Sequence, residues 1–248
     1  NPALQFSGKE ADFVTYILKD QPAPPKYFAV MKHLNKADRP LLVEVPKLAE
    51  LNQKEIDNAI KNGLIVIDAR PKAVSSQGFI SGSFLIENMK TFSTFAGSIV
   101  DYQNQIILIA EENQIEDLMR KLMRIGMDNI YGYITNPSEQ NLALQNVKTI
   151  DIDTFKSYLG NKNVQKIDVR TENEYKSGHI KGVENIALNT LENNLDKINK
   201  KEPVIIHCQS GTRAAIAYSI LVKNGFENIL NYSGGINDWK EKKNELAQ

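Results

Sequence analysis

The stretch that decides the reading is Val204-Ile205-Ile206-His207-Cys208-Gln209-Ser210-Gly211-Thr212-Arg213-Ala214-Ala215. An apolar run of strand length delivers a cysteine to its C-terminal end. A short loop with one glycine follows, and then an alanine-rich segment with apolar residues at helical spacing (Ala214, Ala217, Ile220, Leu221). Open α/β sheets hold their ligands at the carboxyl ends of strands. The backbone N–H groups of such a loop can turn inward around the sulfur as an anion nest. The helix N-terminus adds partial positive charge, and Arg213 adds a full one. Glycine at 211 suits a loop that needs unusual dihedral angles.

Sulfur chemistry sets what this environment must supply. An ordinary thiol with a pKa near 8.5 is only about 3% ionised at pH 7. Making the thiolate the majority form takes a lowering of about two units, or roughly 2.7 kcal/mol of preferential anion binding. Several N–H donors, a helix end and a guanidinium together are of that size. A thiolate so held attacks the outer sulfur of thiosulfate or of a persulfide. His207 lies on the opposite side of the strand from Cys208 by alternation, so it is not read as a general base. The bland alternative is that Cys208 is a small buried residue, as free cysteines often are.

Outward from this stretch the chain repeats itself. Residues 64–86 (LIVIDARPKAVSSQGFISGSFLI) align without gaps on residues 164–186 (VQKIDVRTENEYKSGHIKGVENI). Asp68 matches Asp168, Arg70 matches Arg170, Gly78 matches Gly178 and Gly82 matches Gly182. Farther on, 104–110 matches 202–208 and 123–133 matches 222–232. A period near 100 residues is that of a whole domain rather than a solenoid unit. A chain of 248 residues, 42% of them hydrophobic, can build two such cores.

Each copy alternates strand and helix candidates. Helices are predicted over 53–61 and 153–159. An apolar strand ending in Asp-x-Arg follows each of them, and a second strand lies at 106–110 or 204–207. A helix comes next, and then a further strand near Ile130 or Ile229. This pattern predicts an α/β fold, with two domains that are each a small, mainly parallel sheet flanked by helices. Two helix candidates, 9–18 and 26–34, precede them around Gln21-Pro22-Ala23-Pro24-Pro25. The expected boundaries are 1–40 for this helical segment, 41–140 for the first domain and 141–248 for the second, with 136–140 as linker.

The segments IDVRTENEYKSGHIKGVENI, HCQSGTR and YSGGINDW resemble a rhodanese domain. The resemblance covers the last hundred residues. It implies a sulfurtransferase with Cys208 as nucleophile and Arg213 binding substrate, and with Gln209, Ser210, Gly211, Thr212 and Ala214 lining the cradle. The span from Cys208 to Arg213 resembles the sulfurtransferase branch; related phosphatases and arsenate reductases carry one loop residue more. Asp168 and Arg170 read as a buried ion pair tying sheet to loops, His179 as a packed and hydrogen-bonded turn residue, and Trp239 as a packing anchor near the site rim. In the first copy Ala110 stands in place of the thiol, Glu111 and Glu112 follow it, and Phe79 replaces His179. A rhodanese-like domain without sulfur transfer is expected there.

Residues 1–4, 21–28 and 31–35 resemble the tail of a metallo-β-lactamase-fold persulfide dioxygenase. That family is sometimes fused to two rhodanese domains, the first lacking cysteine. The resemblance implies a chain that begins inside a longer protein, with iron held only in an upstream domain. No cofactor or metal is expected within these residues, since one cysteine and three histidines do not fall at metal-ligand spacing. Thirty basic and thirty acidic residues balance, so no global field favours nucleic acid or an anionic membrane. No apolar run is long enough to span a bilayer, and no signal peptide is visible. A cytoplasmic location, a small-molecule sulfur donor and a thiol acceptor are expected. The reading allows a homo-oligomer, and it leaves two alternatives: a non-catalytic rhodanese-like binding or regulatory module and, ranked below it, a Cys-dependent phosphatase or arsenate reductase.

Overall fold

The computed structural model describes residues 6–19, 24–39 and 43–248. Helix α1 (Glu10–Leu18) and helix α2 (Lys26–Leu34) lie within a residue of the predicted spans. Residues 1–4 and 21–23, which carry part of the dioxygenase-like resemblance, lie outside the described residues, as does the expected boundary at 40/41.

The first half opens with α3 (Gln53–Lys61), started by a reciprocal capping box between Asn52 and Glu55. Strand β1 (Ile65–Asp68), α4 (Lys72–Ser75), β2 (Phe79–Ile80), β3 (Phe84–Leu85) and α5 (Phe92–Ile99) follow. Then come β4 (Ile106–Ile109), α6 (Glu112–Met123) and β5 (Ile130–Ile134). The strands form a parallel sheet in the order β3-β1-β4-β5. Every residue of β1 and β4 is buried, as expected of apolar strands covered on both faces.

The turn predicted as linker does not release the chain from this half. Strand β6 (Leu144–Gln145) returns to pair antiparallel with β2. The second half then begins with β7 (Thr149–Ile150) and α7 (Ile152–Tyr158). Next come β8 (Gln165–Asp168), α8 (Glu172–Lys176), β9 (Glu184–Asn185) and a kinked 3-10 segment, Leu188–Lys197. The half ends with β10 (Val204–His207), α9 (Thr212–Lys223), β11 (Ile229–Tyr232) and α10 (Gly235–Glu241). Its sheet is parallel in the order β7-β11-β10-β8-β9. The α/β architecture with parallel sheets flanked by helices is therefore present in both halves.

Small features repeat with the sheets. In the first half Arg70 binds the Asp68 carboxylate (2.6 Å) and the Gly78 carbonyl (2.7 Å). In the second, Arg170 binds Asp168 (2.7 Å) and the Gly178 carbonyl (2.9 Å). Each clamp is buried and ties the end of its strand, β1 or β8, to the Gly-x-Ile-x-Gly turn. Just as β6 closes on β2, Ala247 bridges antiparallel to His179 at the end of the chain.

The halves join along α9. Every residue from Ala214 to Leu221 is buried, because the helix packs on its own sheet and on β3 of the first half. That explains a helix apolar nearly all round. Its one polar residue at the join, Ser219, accepts from the Leu85 amide at 3.1 Å. Phe79 meets Tyr218 edge-on, and one apolar core runs through both halves.

Candidate functional site

The strand β10 places Cys208 where the sequence predicts, at its C-terminal end, followed by the loop Gln209-Ser210-Gly211 and then α9. Gly211 is the N-cap of α9 and is left-handed (φ 91°), a conformation costly for other residues. A Cβ there would sit 2.6 Å from the Ser233 carbonyl oxygen and 2.8 Å from Lys72 Nζ. Its amide donates to Cys208 Sγ at 3.1 Å. The other side of Cys208 is fixed by α10, where the Ile236 amide donates to the Cys208 carbonyl and the Asn237 amide to the Gln209 carbonyl, both at 3.0 Å. Gly235 makes this approach possible, since a Cβ on it would lie 2.2 Å from the Cys208 carbonyl oxygen.

The surroundings differ from the expected open ring in three ways. Among the described residues one amide, that of Gly211, donates to the sulfur. Cys208 is 1% exposed, so the thiol lies under its loop rather than in an open cup. Among the described residues Arg213 makes no hydrogen bond to the sulfur, and its Nη1 and Nη2 instead form a two-pronged pair with Glu174 at 2.6 and 2.7 Å. This fork-to-fork geometry is the strongest available to a guanidinium. It holds the Glu174 carboxyl well below its usual range, at about 2, with Thr171 helping. The Arg213 pKa is raised, first by Glu174 and also by the charges of Cys208 and Asp168, so the guanidinium remains within the electrostatic reach of the sulfur.

The remaining predicted residues are placed as follows. The Gln209 side chain bonds Asn237 and lies 3.5 Å from Arg170 Nη1. The Ser210 carbonyl accepts from Lys72 of the first half at 3.0 Å. Thr212 lines a narrow crevice between the halves with Lys72, Ser75, Leu85, Glu87 and Ala215. Ala214 is fully buried and belongs to the shared core, which takes its side chain away from the loop mouth. Asp168 and Arg170 form the buried clamp described above. His179 stacks on Tyr175 (centroids 3.9 Å apart), and its amide donates to the Ala247 carbonyl. Trp239 packs edge-on to Phe155 and donates to the Glu245 carbonyl, so it anchors α10 from the second apolar cluster.

His207 is fully buried. Its Nδ1 lies 3.2 Å from the Cys208 carbonyl, which can only accept, so Nδ1 carries the proton. Among the described residues its Nε2 has no hydrogen-bond partner, and it stands 4.0 Å from Asp168. Burial pushes its pKa down, with Asp168 opposing. The imidazole is therefore neutral and braces the Cys208 backbone.

Two residues at the site carry no local sequence signal for their role. Thr171-x-x-Glu174 reads as a capping box and is one, but the reach of Glu174 to Arg213 depends on packing between distant segments. Lys72 belongs to the other half altogether. Among the described residues no group of three His, Cys, Asp or Glu side chains is placed to hold a metal ion, and no helix is long and apolar enough to cross a membrane.

Comparison with known proteins agrees with the geometry of the second half. The rhodanese-like domain family matches residues 151–242. The uncharacterized protein YqhL of Bacillus subtilis is 38% identical over 96 residues, covering 39% of this chain and 75% of that protein. The thiosulfate sulfurtransferase GlpE of Pseudoalteromonas translucida is 34% identical over 106 residues, 41% of this chain and 96% of that one. Among solved structures, a metallo-beta-lactamase from Staphylococcus aureus superposes with a TM-score of 0.44 at 29% identity, over 52% of this chain and 35% of that chain. With a curated sulfurtransferase matched over nearly its whole length, and with the strand, loop and helix around Cys208 in place, the chain belongs to the rhodanese-like family.

Proposed function

We propose that the second half is a sulfurtransferase working by double displacement through Cys208. The Cys208 thiolate attacks the outer sulfur of thiosulfate. The S–S bond of the donor breaks, sulfite leaves with the bonding pair, and a Cys208 persulfide forms. An acceptor thiolate, sulfite or cyanide then attacks the terminal sulfur, and Cys208 departs as thiolate. A low-molecular-weight persulfide serves equally as donor, with its thiolate as leaving group.

The observation that carries this reading is the Gly211 amide on Cys208 Sγ, in a loop whose left-handed glycine opens the 12-residue helix α9. An N–H on the sulfur and a helix N-terminus behind it both favour the anion. In this reading Arg213 fixes α8 against the loop and lends its field, and Gln209, Ser210 and Thr212 form the wall of the entrance. Since the thiol lies under its loop, a donor enters by displacing a side chain at the rim.

In the first half, Ala110 at the matching position removes the nucleophile, and we assign this half a supporting role without sulfur transfer. The resemblance of the N-terminal segment to a persulfide dioxygenase supports a place downstream of such a domain. There Cys208 would combine a persulfide with the sulfite that the dioxygenase releases, giving thiosulfate and thiol, as part of persulfide detoxification. A reducing, cytoplasmic compartment suits a lone thiol that must stay reduced. The test is thiocyanate formation from thiosulfate and cyanide by the intact chain. Activity that depends on Cys208 supports the assignment, and full activity after Cys208→Ser removes it.

A further inference from the structure

The thiol loop is not closed by its own half alone. Lys72, the first residue of α4 in the half without a thiol, reaches across the join and donates to the Ser210 carbonyl at 3.0 Å. Its Nζ lies beside Gly211, whose amide is the one on Cys208 Sγ. The ammonium has three donors and spends one on Ser210, which leaves two. Among the described residues it makes no ion pair, although Glu87 lines the same crevice. Arg213, the cation expected to meet the donor, has both terminal nitrogens on Glu174. The uncommitted positive charge at the loop therefore comes from the first half.

Local helix physics does not ask for a cation at this position. The first turn of a helix favours acids, and the second half has Glu172 at the matching place, in the first turn of α8. Lys72 stands against that preference and points at the neighbouring loop.

We infer that Lys72 is a substrate-positioning residue for the Cys208 site, binding the oxyanion end of the sulfur donor or acceptor, such as the sulfonate oxygens of thiosulfate or the oxygens of sulfite. This rests on the sulfur-transfer reading above. It gives the thiol-free half a chemical task, since an oxyanion drawn to Lys72 is held at the rim of the loop that covers the sulfur. Charge-assisted contacts of this kind are short and directional.

The test compares two reagents on the intact chain. Single-turnover sulfur gain on Cys208 is followed with thiosulfate, a dianion, and alkylation of Cys208 with iodoacetamide, which is neutral. Lys72→Met is expected to slow sulfur gain about tenfold, the scale of one charge-assisted hydrogen bond. Alkylation should stay within about twofold, and Lys72→Arg should recover most of the thiosulfate rate. Equal loss with both reagents would show that Lys72 only props the loop and would overturn the inference. So would an unchanged thiosulfate rate in Lys72→Met. A wild-type chain that is alkylated but gains no sulfur overturns the sulfur-transfer reading, and this inference with it.

Discussion

The two halves present the same strand to the same place in the sheet and end it differently. In the second half β10 is followed by four residues, Cys208 to Gly211, before α9 begins. In the first half β4 is followed by two, Ala110 and Glu111, before α6 begins. The positive-φ glycine is missing there, and Glu111 passes in extended conformation straight into the helix. The clamps beneath are nearly superposable in their contacts, Asp68–Arg70–Gly78 against Asp168–Arg170–Gly178. The lesson is that the framework and the cradle are separable. The ion pair and turn belong to the fold, whereas the thiol site needs the extra loop residues and the left-handed glycine.

The largest effect expected is from Cys208→Ser. Thiocyanate production from thiosulfate should fall by about a thousandfold or more, the scale on which a lost nucleophile is felt. Next come the clamps. Asp68→Asn and Asp168→Asn each leave a buried arginine without its carboxylate and should destabilise by about 3 kcal/mol in denaturant unfolding. Asp168→Asn alone should also slow sulfur loading, since Arg170 neighbours Gln209 of the loop. Equal loss of loading from both would join what the comparison separates.

Gly235→Ala pushes a methyl group onto the Cys208 carbonyl and should cost about 1–3 kcal/mol. Gly160→Ala, with open space around it, serves as the silent control.

A smaller effect is pH-dependent. His207 is buried and neutral in the folded chain: burial lowers its pKa most and Arg170 adds to that, while Asp168 and the hydrogen bond to Cys208 oppose it. Its folded pKa lies below the ordinary value of 6.5, so below that pH the unfolded chain binds the extra proton and the native state loses stability. The first half has Ile109 at this position. His207→Ile should flatten the fall in stability between about pH 7 and pH 5, measured by urea midpoints. An unchanged slope would contradict the buried-neutral assignment. The smallest effect belongs to Ala110→Cys, which restores a thiol without its loop. It should gain no sulfur from thiosulfate, and measurable loading would show that the two missing loop residues are dispensable.

Much of this was legible in the sequence because it is local. The helices α2 and α3 and the strand β10 coincide with the runs read from periodicity and caps. The helix predicted over 153–159 begins one residue earlier, at Ile152, behind its Asp151 cap. The Asp-x-Arg repeat marked both clamps. What was not legible is held by partners far along the chain. Strand β6 has two residues and exists because it pairs with the distant β2, Phe79 with Gln145 and Ile80 with Leu144. The segment Leu188–Lys197 spaces Leu188, Leu191 and Leu195 as a helix would, but it is 3-10 and kinked at Asn194, which spacing alone does not reveal. The sequence places Arg213 toward the sulfur because nothing nearby in the chain competes for it. Glu174, 39 positions away, does so in space. Cys208, 1% exposed, belongs to the core shared by both halves, and that burial depends on packing between distant segments that periodicity does not record.

The most direct measurement is intact-protein and peptide mass spectrometry of the reduced chain after brief exposure to thiosulfate. One added sulfur is predicted, mapped to Cys208 and discharged by cyanide. A chain whose Cys208 stays unmodified while thiocyanate is nevertheless produced would contradict the account.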